Sequence, residues 1–355
     1  MHQRFVHIVA VHLALALAPA GGARGQVFEL PQRLPPVVAD SSSGFATFAG
    51  AAEALVLDGA PSVETLHDPA TLAATIDPQC AGQYPAGWTP GAIVPPASFS
   101  PQEWSVHWLP DGLIYRSYLA GVKEPRFGAV FLHEQNRGWF FESTLGGRVG
   151  LVRYGDTRTV RPEGWQLDLE GAANPRLDLG SNWDLESADF RIGLPLTYGW
   201  GPLQFKLALY HTSSHAGDEF LLANPSFVRI NYSRDAIVLG ASAYPTEDWR
   251  VYGEGGFAFS SDGGSEPLEF QFGVDYSPMW STRWGGAPFL AVNGHLREEV
   301  DFGGQVVAQA GWQWRGSFNE HLFRVGVQYF NGKSSQFEFF RRTDQYVGIG
   351  VWYDY

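Results

Sequence analysis

The sequence predicts an all-β fold, a transmembrane antiparallel up-and-down β-barrel of about 12 strands with an irregular N-terminal extension. Three observations lead to this prediction. The composition is rich in glycine and aromatic residues but poor in charge, apolar and polar residues alternate with a period of two, and the final strand pattern ends on an aromatic residue.

The composition separates this chain from ordinary soluble domains. Among 355 residues there are 42 glycines, aromatic residues make up 15% and charged residues only 17%, whereas soluble domains usually carry about 25% charged residues. The net charge of −13 argues against nucleic acid as a partner, because phosphate binding needs clustered lysine and arginine. Since Cys80 is the only cysteine, no intrachain disulfide can form. A secreted β-sandwich fits the same composition.

The first residues have the layout of a secretory signal peptide. Arg4 precedes an apolar stretch from Phe5 to Leu17, and an Ala-Pro-Ala triplet follows. The apolar stretch is shorter than the roughly 20 residues that a membrane-spanning helix needs. We therefore predict a signal peptide over residues 1–20, with cleavage as late as residue 25 as the alternative.

The next region, residues 21–107, is rich in alanine, proline, glycine and serine and has weak periodicity. Such a composition is typical of a linker or a loosely ordered segment. We predict an Ala/Pro-rich periplasmic extension here and a β-barrel over residues 108–355. The sequence leaves open whether the aromatic stretch between Trp104 and Glu124 joins the barrel or plugs it.

Beyond Pro125 the side chains alternate as in a strand with one apolar and one polar face. Between Leu268 and Tyr276 apolar residues alternate with Glu, Gln, Gly and Asp. Aromatic rings gather at strand ends, as they do at the interfaces between membrane and water. These aromatic residues are Trp249, Tyr276, Trp312, Trp314, Tyr329 and Tyr353.

The alternating segments form a series of twelve, an even number that would place both ends of the barrel on the periplasmic side. Long connections are then expected on the extracellular side, at 174–186, 214–228 and 333–341, and tight turns on the periplasmic side, at Gly199–Pro202 and Pro245–Asp248. The predicted strands are 126–134, 139–152, 164–173, 187–199, 203–213, 229–244, 249–261, 267–280, 287–297, 304–316, 320–332 and 342–355.

The last strand carries apolar residues at every second position and ends on an aromatic residue. Counting back from Tyr355, the series is Tyr353, Val351, Ile349 and Val347. This pattern resembles the C-terminal targeting signal of outer-membrane barrels. The resemblance implies membrane lipids and the barrel-assembly machinery as partners, the latter through the strand that ends at Tyr355, and the cell outer membrane as location.

A polar run from Tyr210 to Phe220 ends the fifth predicted strand. His211 and Ser213 continue the apolar face of this strand, so we expect both to point toward lipid near the outer rim. The His-x-Ser pair resembles that of outer-membrane phospholipase A and of the lipid A deacylase. The resemblance implies His211 as general base and Ser213 as nucleophile, with backbone N–H groups holding the oxyanion. Those families continue with Asn, where this chain has Ser214.

The third catalytic residue that would orient His211 stays open. The candidates are Asp218, Glu219, Asn224 and Asn231. A cation site formed by His215, Asp218 and Glu219 is an alternative, incomplete with three residues, and calcium is the cofactor to consider if the protein is a hydrolase. A polar loop above the membrane would also explain the run.

The inward positions of the predicted strands carry charges of both signs. Mixed charges usually pair across a lumen and narrow or plug it, whereas a wide pore would be lined by one sign. This pattern favours a structural barrel or a narrow channel. The residues are Asp168, Glu170, Arg191, Lys206, Arg250, Glu254, Glu269, Asp275, Arg297, Arg315 and Arg324.

The region from about Trp108 to Tyr355 resembles a bacterial domain family of unknown function. The resemblance rests on the stretches LPDGLIYRSYLAGVKEPRFG, YHTSSHAGDEF, NYSRDAIVLG and WRVYGEGGFAF. It implies no activity. The sequence thus predicts an outer-membrane barrel with a structural or narrow-channel role, and as the alternative a lipid-ester hydrolase of the outer leaflet.

The signal peptide and the terminal strand together predict where the mature protein resides. We expect it to fractionate with the outer membrane and to show heat-modifiable mobility on a gel. Deleting Tyr355 should lower the amount of assembled barrel, because the deletion removes the aromatic end of the terminal pattern. Recovery of the wild type as a soluble periplasmic protein would contradict the barrel prediction.

Overall fold

A computed structural model describes residues 104–158, 160–316 and 321–355. The predicted signal peptide (1–20) and most of the predicted extension (21–103) lie outside the described residues. Within the described ranges, no helix combines the length and the apolar character needed to cross a membrane.

The described residues form thirteen strands and very little helix, and they confirm the predicted all-β fold. One α-helix, α1 (Asp218–Ala223), and two 3-10 helices, Glu298–Val300 and Phe337–Phe339, lie between strands. The strands are β1 (Ser105–Trp108), β2 (Phe127–Glu134), β3 (Gly138–Gly155), β4 (Gly164–Asp178), β5 (Asp184–Trp200), β6 (Leu203–Ala216), β7 (Ser233–Ala243), β8 (Trp249–Asp262), β9 (Leu268–Tyr276), β10 (Ala287–Arg297), β11 (Gly304–Arg315), β12 (Leu322–Lys333) and β13 (Thr343–Asp354).

Strands β2 to β13 close into a twelve-stranded antiparallel barrel, as predicted. Each pairs with its neighbour in the chain, and β13 returns to pair with β2, with Tyr353 opposite Phe127 and Tyr346 opposite Glu134. β2 has eight residues against eighteen in β3, so one edge of β3 extends past it. β1 pairs with that edge, from Ser105 opposite Gly155 to Trp108 opposite Val152.

The alternation in sequence becomes an apolar outside and a polar inside. On β9, Phe270 and Phe272 are exposed on the outer surface, while Glu269 and Asp275 are buried in the lumen. Because this pattern recurs on successive strands, the outer surface of the barrel is apolar and has aromatic residues at its borders. A barrel that faces lipid has such a surface.

The predicted long connection at 174–186 is wrong. β4 continues to Asp178 and β5 begins at Asp184, so that the connection is only 179–183. Polar residues of this segment are inward strand positions held by ion pairs. Arg176, for example, lies 2.6 Å from Glu142 and 3.1 Å from Asp344. The other two predicted long connections, 214–228 and 333–341, correspond to 217–232 and 334–342 in the structure, and both lie at the same end of the barrel, as predicted.

Residues 109–126, between β1 and β2, fill the lumen, which settles what the sequence left open. Ile114 and Tyr118 are fully buried. Tyr118 stacks on Tyr252 of β8 with 3.8 Å between ring centroids and donates a hydrogen bond to Glu254 at 2.6 Å. On the far side, Arg324 of β12 donates to the carbonyl of Leu119 at 3.1 Å. We call residues 109–126 the plug.

Arg126 anchors the C-terminal end of the plug. Its guanidinium donates to the carbonyl oxygens of Leu119 at 2.8 Å and Tyr118 at 2.5 Å, and lies 3.0 Å from the carboxylate of Asp354. Removing one partner of a buried ion pair usually costs about 3–5 kcal/mol. Asp354 keeps Arg324 at 2.7 Å, which lessens the loss.

We therefore expect Arg126→Met to destabilise the barrel by about 2–3 kcal/mol, below the full cost of an orphaned buried charge. The measurement is the temperature at which the heat-modifiable band converts to the unfolded one. Arg283→Met, which removes an exposed arginine from a connection, is the control and should leave this temperature unchanged. Equal temperatures for both variants would show that the plug is not anchored by Arg126.

Candidate functional site

The candidate site suggested by the His-x-Ser pair lies on the outer surface of β6. Phe205, Leu207 and Leu209 are exposed on this face, and His211 and Ser213 follow on the same face at the next two outward positions. Their chain neighbours Tyr210, Thr212 and Ser214 are buried in the lumen. The pair thus stands where the apolar outer surface of the strand ends.

His211 is held by a carboxylate on the neighbouring strand. Its Nδ1 lies 2.7 Å from Oδ1 of Asp235, the residue directly opposite it on β7. Both side chains are about half exposed, at 45% and 40%. A carboxylate that accepts a hydrogen bond from Nδ1–H fixes the ring orientation and leaves the Nε2 lone pair available as a base.

Ser213 lies between Phe190 of β5 and Ser233 of β7 in the strand register. Within the described residues, no hydrogen bond joins its hydroxyl to His211. Alternate residues on one face of a strand are about 6.6 Å apart along the chain, a span that an imidazole and a hydroxyl can bridge by rotation. Catalytic hydrogen bonds are often long before substrate binds.

The four candidates for a third residue lie elsewhere. Asp218 and Glu219 occupy the first turn of α1, and the side chain of Asn224 donates to the carbonyl of Phe220 at 2.9 Å. Asn231 has a left-handed backbone, with φ of 53°, two residues before β7. None of these four residues is hydrogen-bonded to the His211 ring, whose partner is Asp235.

Sequence reasoning missed Asp235. The residue lies in a quoted stretch, NYSRDAIVLG, but its proximity to His211 depends on the register between β6 and β7. That register places Leu209 opposite Ile237 and His211 opposite Asp235. A search for carboxylates at outward positions of the neighbouring strands would have found it, because cross-strand pairs on one face are close.

The proposed cation ligands are not gathered around one point. The ring of His215 contacts Arg229, with Nδ1 3.0 Å from Nη2, whereas Asp218 and Glu219 belong to α1. Over the described part of the chain, no three His, Cys, Asp or Glu side chains are grouped in a way that could hold a metal.

The lumen, the second candidate site, is lined by ion pairs. Lys206 lies 2.5 Å from Glu254, which also accepts the hydrogen bond from the plug residue Tyr118. Further pairs join Arg148 to Asp168 at 2.6 Å and Arg191 to Glu170 at 2.7 Å. Charges of both signs therefore neutralise one another between nearby strands of the lumen wall.

The connection 334–342 folds inward and closes the lumen at the end opposite to β1. The backbone N–H of Phe337 donates to Asp189 at 3.2 Å, and that of Glu338 donates to the Ser214 hydroxyl at 2.9 Å. Lys123 of the plug reaches the same Asp189 at 2.5 Å. The cavity left between the plug and this connection measures about 30 Å³, room for one or two water molecules.

Residues 88–355 match the model of a family described as a protein of unknown function, DUF1207. The chain belongs to the DUF1207 family. This match confirms the resemblance to a family of unknown function. No curated protein matches the chain.

Several solved structures resemble this member of the DUF1207 family. Outer-membrane phospholipase A from Escherichia coli is 11% identical, with 68% of this chain and 95% of that chain covered and a TM-score of 0.44. The KdgM porin is 11% identical, with 64% and 99% covered and a TM-score of 0.36. A Rhodopseudomonas blastica porin mutant is 10% identical, with 65% and 99% covered and a TM-score of 0.29. These values carry no argument about activity.

The stretches that suggested the DUF1207 family meet in pairs in the structure. The first, residues 109–128, contains the plug, and its Tyr118 contacts the fourth stretch, residues 249–259, through Tyr252 and Glu254. The second and third, residues 210–220 and 231–240, meet on the outer surface through the pair of His211 and Asp235.

The inward-folded connection contains a buried carboxyl group. Glu338 accepts a hydrogen bond from the Ile230 N–H at 2.8 Å on Oε1, while its Oε2 has no partner within the described residues. Burial raises the pKa of this carboxyl above its usual value. The folded protein therefore binds the proton more tightly than the unfolded chain, and stability falls as the pH rises from the unfolded pKa through the folded one.

Glu338→Gln removes this ionisation and can keep the bond from Ile230. We expect the variant to melt at a higher temperature than the wild type at neutral pH, and to lose part of the decline in stability that the wild type shows as the pH rises above the ordinary pKa of a glutamate. Thermal unfolding in detergent as a function of pH measures both. Glu266→Gln, at an exposed position, is the control. A lower melting temperature for Glu338→Gln would mean that the charged form is the stabilising one.

Proposed function

We propose that this protein is an integral barrel of the outer membrane whose lumen is closed, and that it acts through its surfaces and not as an open pore. The observation that carries the proposal is the filled lumen. The plug occupies it from the side of β1, and the connection 334–342 closes the other end.

The apolar outer surface supports the outer-membrane location. Exposed apolar residues recur on successive strands, such as Leu207 on β6, Phe272 on β9 and Ile349 on β13. Exposed apolar surface of this extent is costly in water, whereas lipid covers it without loss. Each of the twelve barrel strands is hydrogen-bonded to a neighbouring strand on both sides. A sheet that spans a membrane requires such closure.

The closed lumen predicts electrical behaviour. Reconstituted in a planar bilayer, the wild type should give no stable conductance steps. A variant in which short glycine–serine linkers replace both residues 112–123 and residues 334–342 should conduct, because it loses the plug and the connection that closes the other end. Porin-like steps from the wild type would contradict the closed-lumen proposal.

A second candidate function is hydrolysis of lipid acyl esters at the outer leaflet. The observation that favours it is the 2.7 Å contact between His211 Nδ1 and Asp235 Oδ1, with Ser213 on the same outward face. With the ring held in this way, Nε2 would take the proton of the Ser213 hydroxyl while its oxygen attacks the ester carbonyl. His211 would then return the proton to the departing alcohol, and water would release the acyl group.

The position of the pair fits such a substrate. Leu209 and Ile237 form the last exposed apolar pair below His211 and Asp235. Ester carbonyls of membrane lipids lie at the same boundary between the apolar and polar layers. A membrane-facing nucleophile could therefore meet its substrate without extracting it from the leaflet.

If this second function holds, purified protein in detergent should hydrolyse phospholipid or lipid A acyl esters, with or without calcium. Ser213→Ala should abolish turnover, and His211→Ala and Asp235→Asn should each lower kcat by about 10²–10⁴-fold, because general-base assistance has this magnitude. A serine-directed phosphonate should label Ser213 and not Ser214, which faces the lumen. The labelled residue can be identified by mass spectrometry.

Ser181→Ala removes an exposed serine from the connection 179–183, at the same end of the barrel and away from the His211–Asp235 pair, and is the control. It should leave turnover and labelling unchanged. If the wild type hydrolyses no ester and Ser213 is not labelled, the hydrolase function is contradicted, and His211 and Ser213 are only polar residues at the rim of the barrel. That outcome would leave the closed-barrel proposal intact.

A further inference from the structure

A cavity opens at the end of the barrel where β1 and the C-terminus lie, and four arginines line it. Arg116 comes from the plug, Arg161 from the connection between β3 and β4, Arg250 from β8 and Arg315 from β11. The cavity measures about 50 Å³. It is separated from the His211 site by the length of the barrel, so nothing proposed for that site depends on it.

Two of these arginines keep N–H groups without a partner. Arg250 is 4% exposed and donates from Nη1 to the Ser117 carbonyl at 3.3 Å, but its Nε and Nη2 have no acceptor within the described residues. Arg315 donates from Nη2 to the Ser277 hydroxyl at 2.9 Å, and its Nε also lacks an acceptor there. Buried donors of a charged group are costly to leave unpaired.

The carboxylates that line the cavity do not satisfy these donors. Glu247 pairs with Arg161 at 2.9 Å. Asp275 approaches Arg250 only to 3.8 Å. Asp354 pairs with Arg126 and Arg324, two arginines that do not line the cavity.

Asp248, the fourth acidic residue of the lining, lies in the turn before β8. Burial raises the pKa of its carboxyl group, and its Oδ1 has no partner within the described residues. Within the described residues the lining thus holds three unpaired guanidinium nitrogens, from Arg250 and Arg315, beside the unpaired Oδ1 atoms of Asp248 and Asp275.

We propose that this cavity is a binding site for a compact oxyanion of the size of phosphate. Guanidinium groups bind such oxygens through paired N–H donors, with geometry that ammonium groups do not offer. Arg250 and Arg315 supply the unpaired donors. Arg116, which belongs to the plug, adds a positive charge to the same cavity. Because the plug contributes one wall, anion binding would also tie the plug to β8 and β11.

The test is a titration of the full mature protein, folded in detergent in a phosphate-free buffer, with inorganic phosphate. Isothermal calorimetry should show saturable binding with one site per chain at millimolar concentrations or below. Arg315→Gln should weaken binding by about tenfold or more, the change expected when one charge-assisted contact is lost. Arg116→Gln, which changes the plug and leaves every strand intact, should weaken it as well.

Arg283→Gln is the matched control, since it removes an exposed arginine from the connection between β9 and β10. It should bind phosphate like the wild type. Parallel titrations with sulfate and acetate distinguish a tetrahedral from a planar oxyanion, and binding of either kind supports the site. Lack of saturable binding by the wild type, or equal affinities for Arg315→Gln and Arg283→Gln, would overturn the proposal and leave a cavity filled by water.

Discussion

In the hydrocarbon layer of a membrane no water is available to hydrogen-bond a peptide group, so a sheet that spans it must pair every strand on both edges. In this protein the requirement is met where β13 returns to β2, over the register from Tyr353–Phe127 to Tyr346–Glu134. β2 covers only part of β3, and β1 pairs with the remainder near Gly155. The short strand before the plug therefore extends the pairing along this edge of β3 and also positions the plug.

Closure of the ladder fixes which side chains face inward, and the lumen then has to accommodate their charges. Buried charges are tolerated when partners surround them. The plug provides several of these partners, for example the Tyr118 hydroxyl for Glu254 and the Leu119 carbonyl for Arg324. Gly240 leaves the space that this arrangement needs, because a Cβ there would lie 3.0 Å from the Tyr115 hydroxyl and 3.2 Å from Lys206. The plug and the barrel wall are thus mutually dependent.

Two groups of polar residues lie outside this network of the plug and the wall. On the outer surface, Asp235 and His211 form a polar pair at the point where the apolar face ends. At the mouth near the C-terminus, Arg250 and Arg315 keep donors that no carboxylate satisfies. The first place fits chemistry on a lipid ester and the second fits capture of a small anion. Neither requires an open lumen.

The sequence alone determined the fold class, the number of barrel strands and the face on which the residues of the predicted strands alternate. Those properties follow from the period of two, which is local: Phe270 and Glu269 must lie on opposite faces wherever the strand is placed. The terminal pattern ending at Tyr355 likewise needs no knowledge of other strands. The loop prediction at 174–186 failed because polar inward residues such as Arg176 resemble loop residues until their partners are known.

Only the tertiary structure decided which residues meet. The pairing of His211 with Asp235 depends on the register between β6 and β7, and a shift of that register by two residues would place a different residue beside the ring while leaving the alternation unchanged. The same holds for Arg116 and Arg315, which are far apart in the chain and meet only because residues 109–126 turn into the lumen. The face on which a side chain lies depends on its neighbours in sequence, whereas the residues that form a site are brought together by contacts between distant parts of the chain.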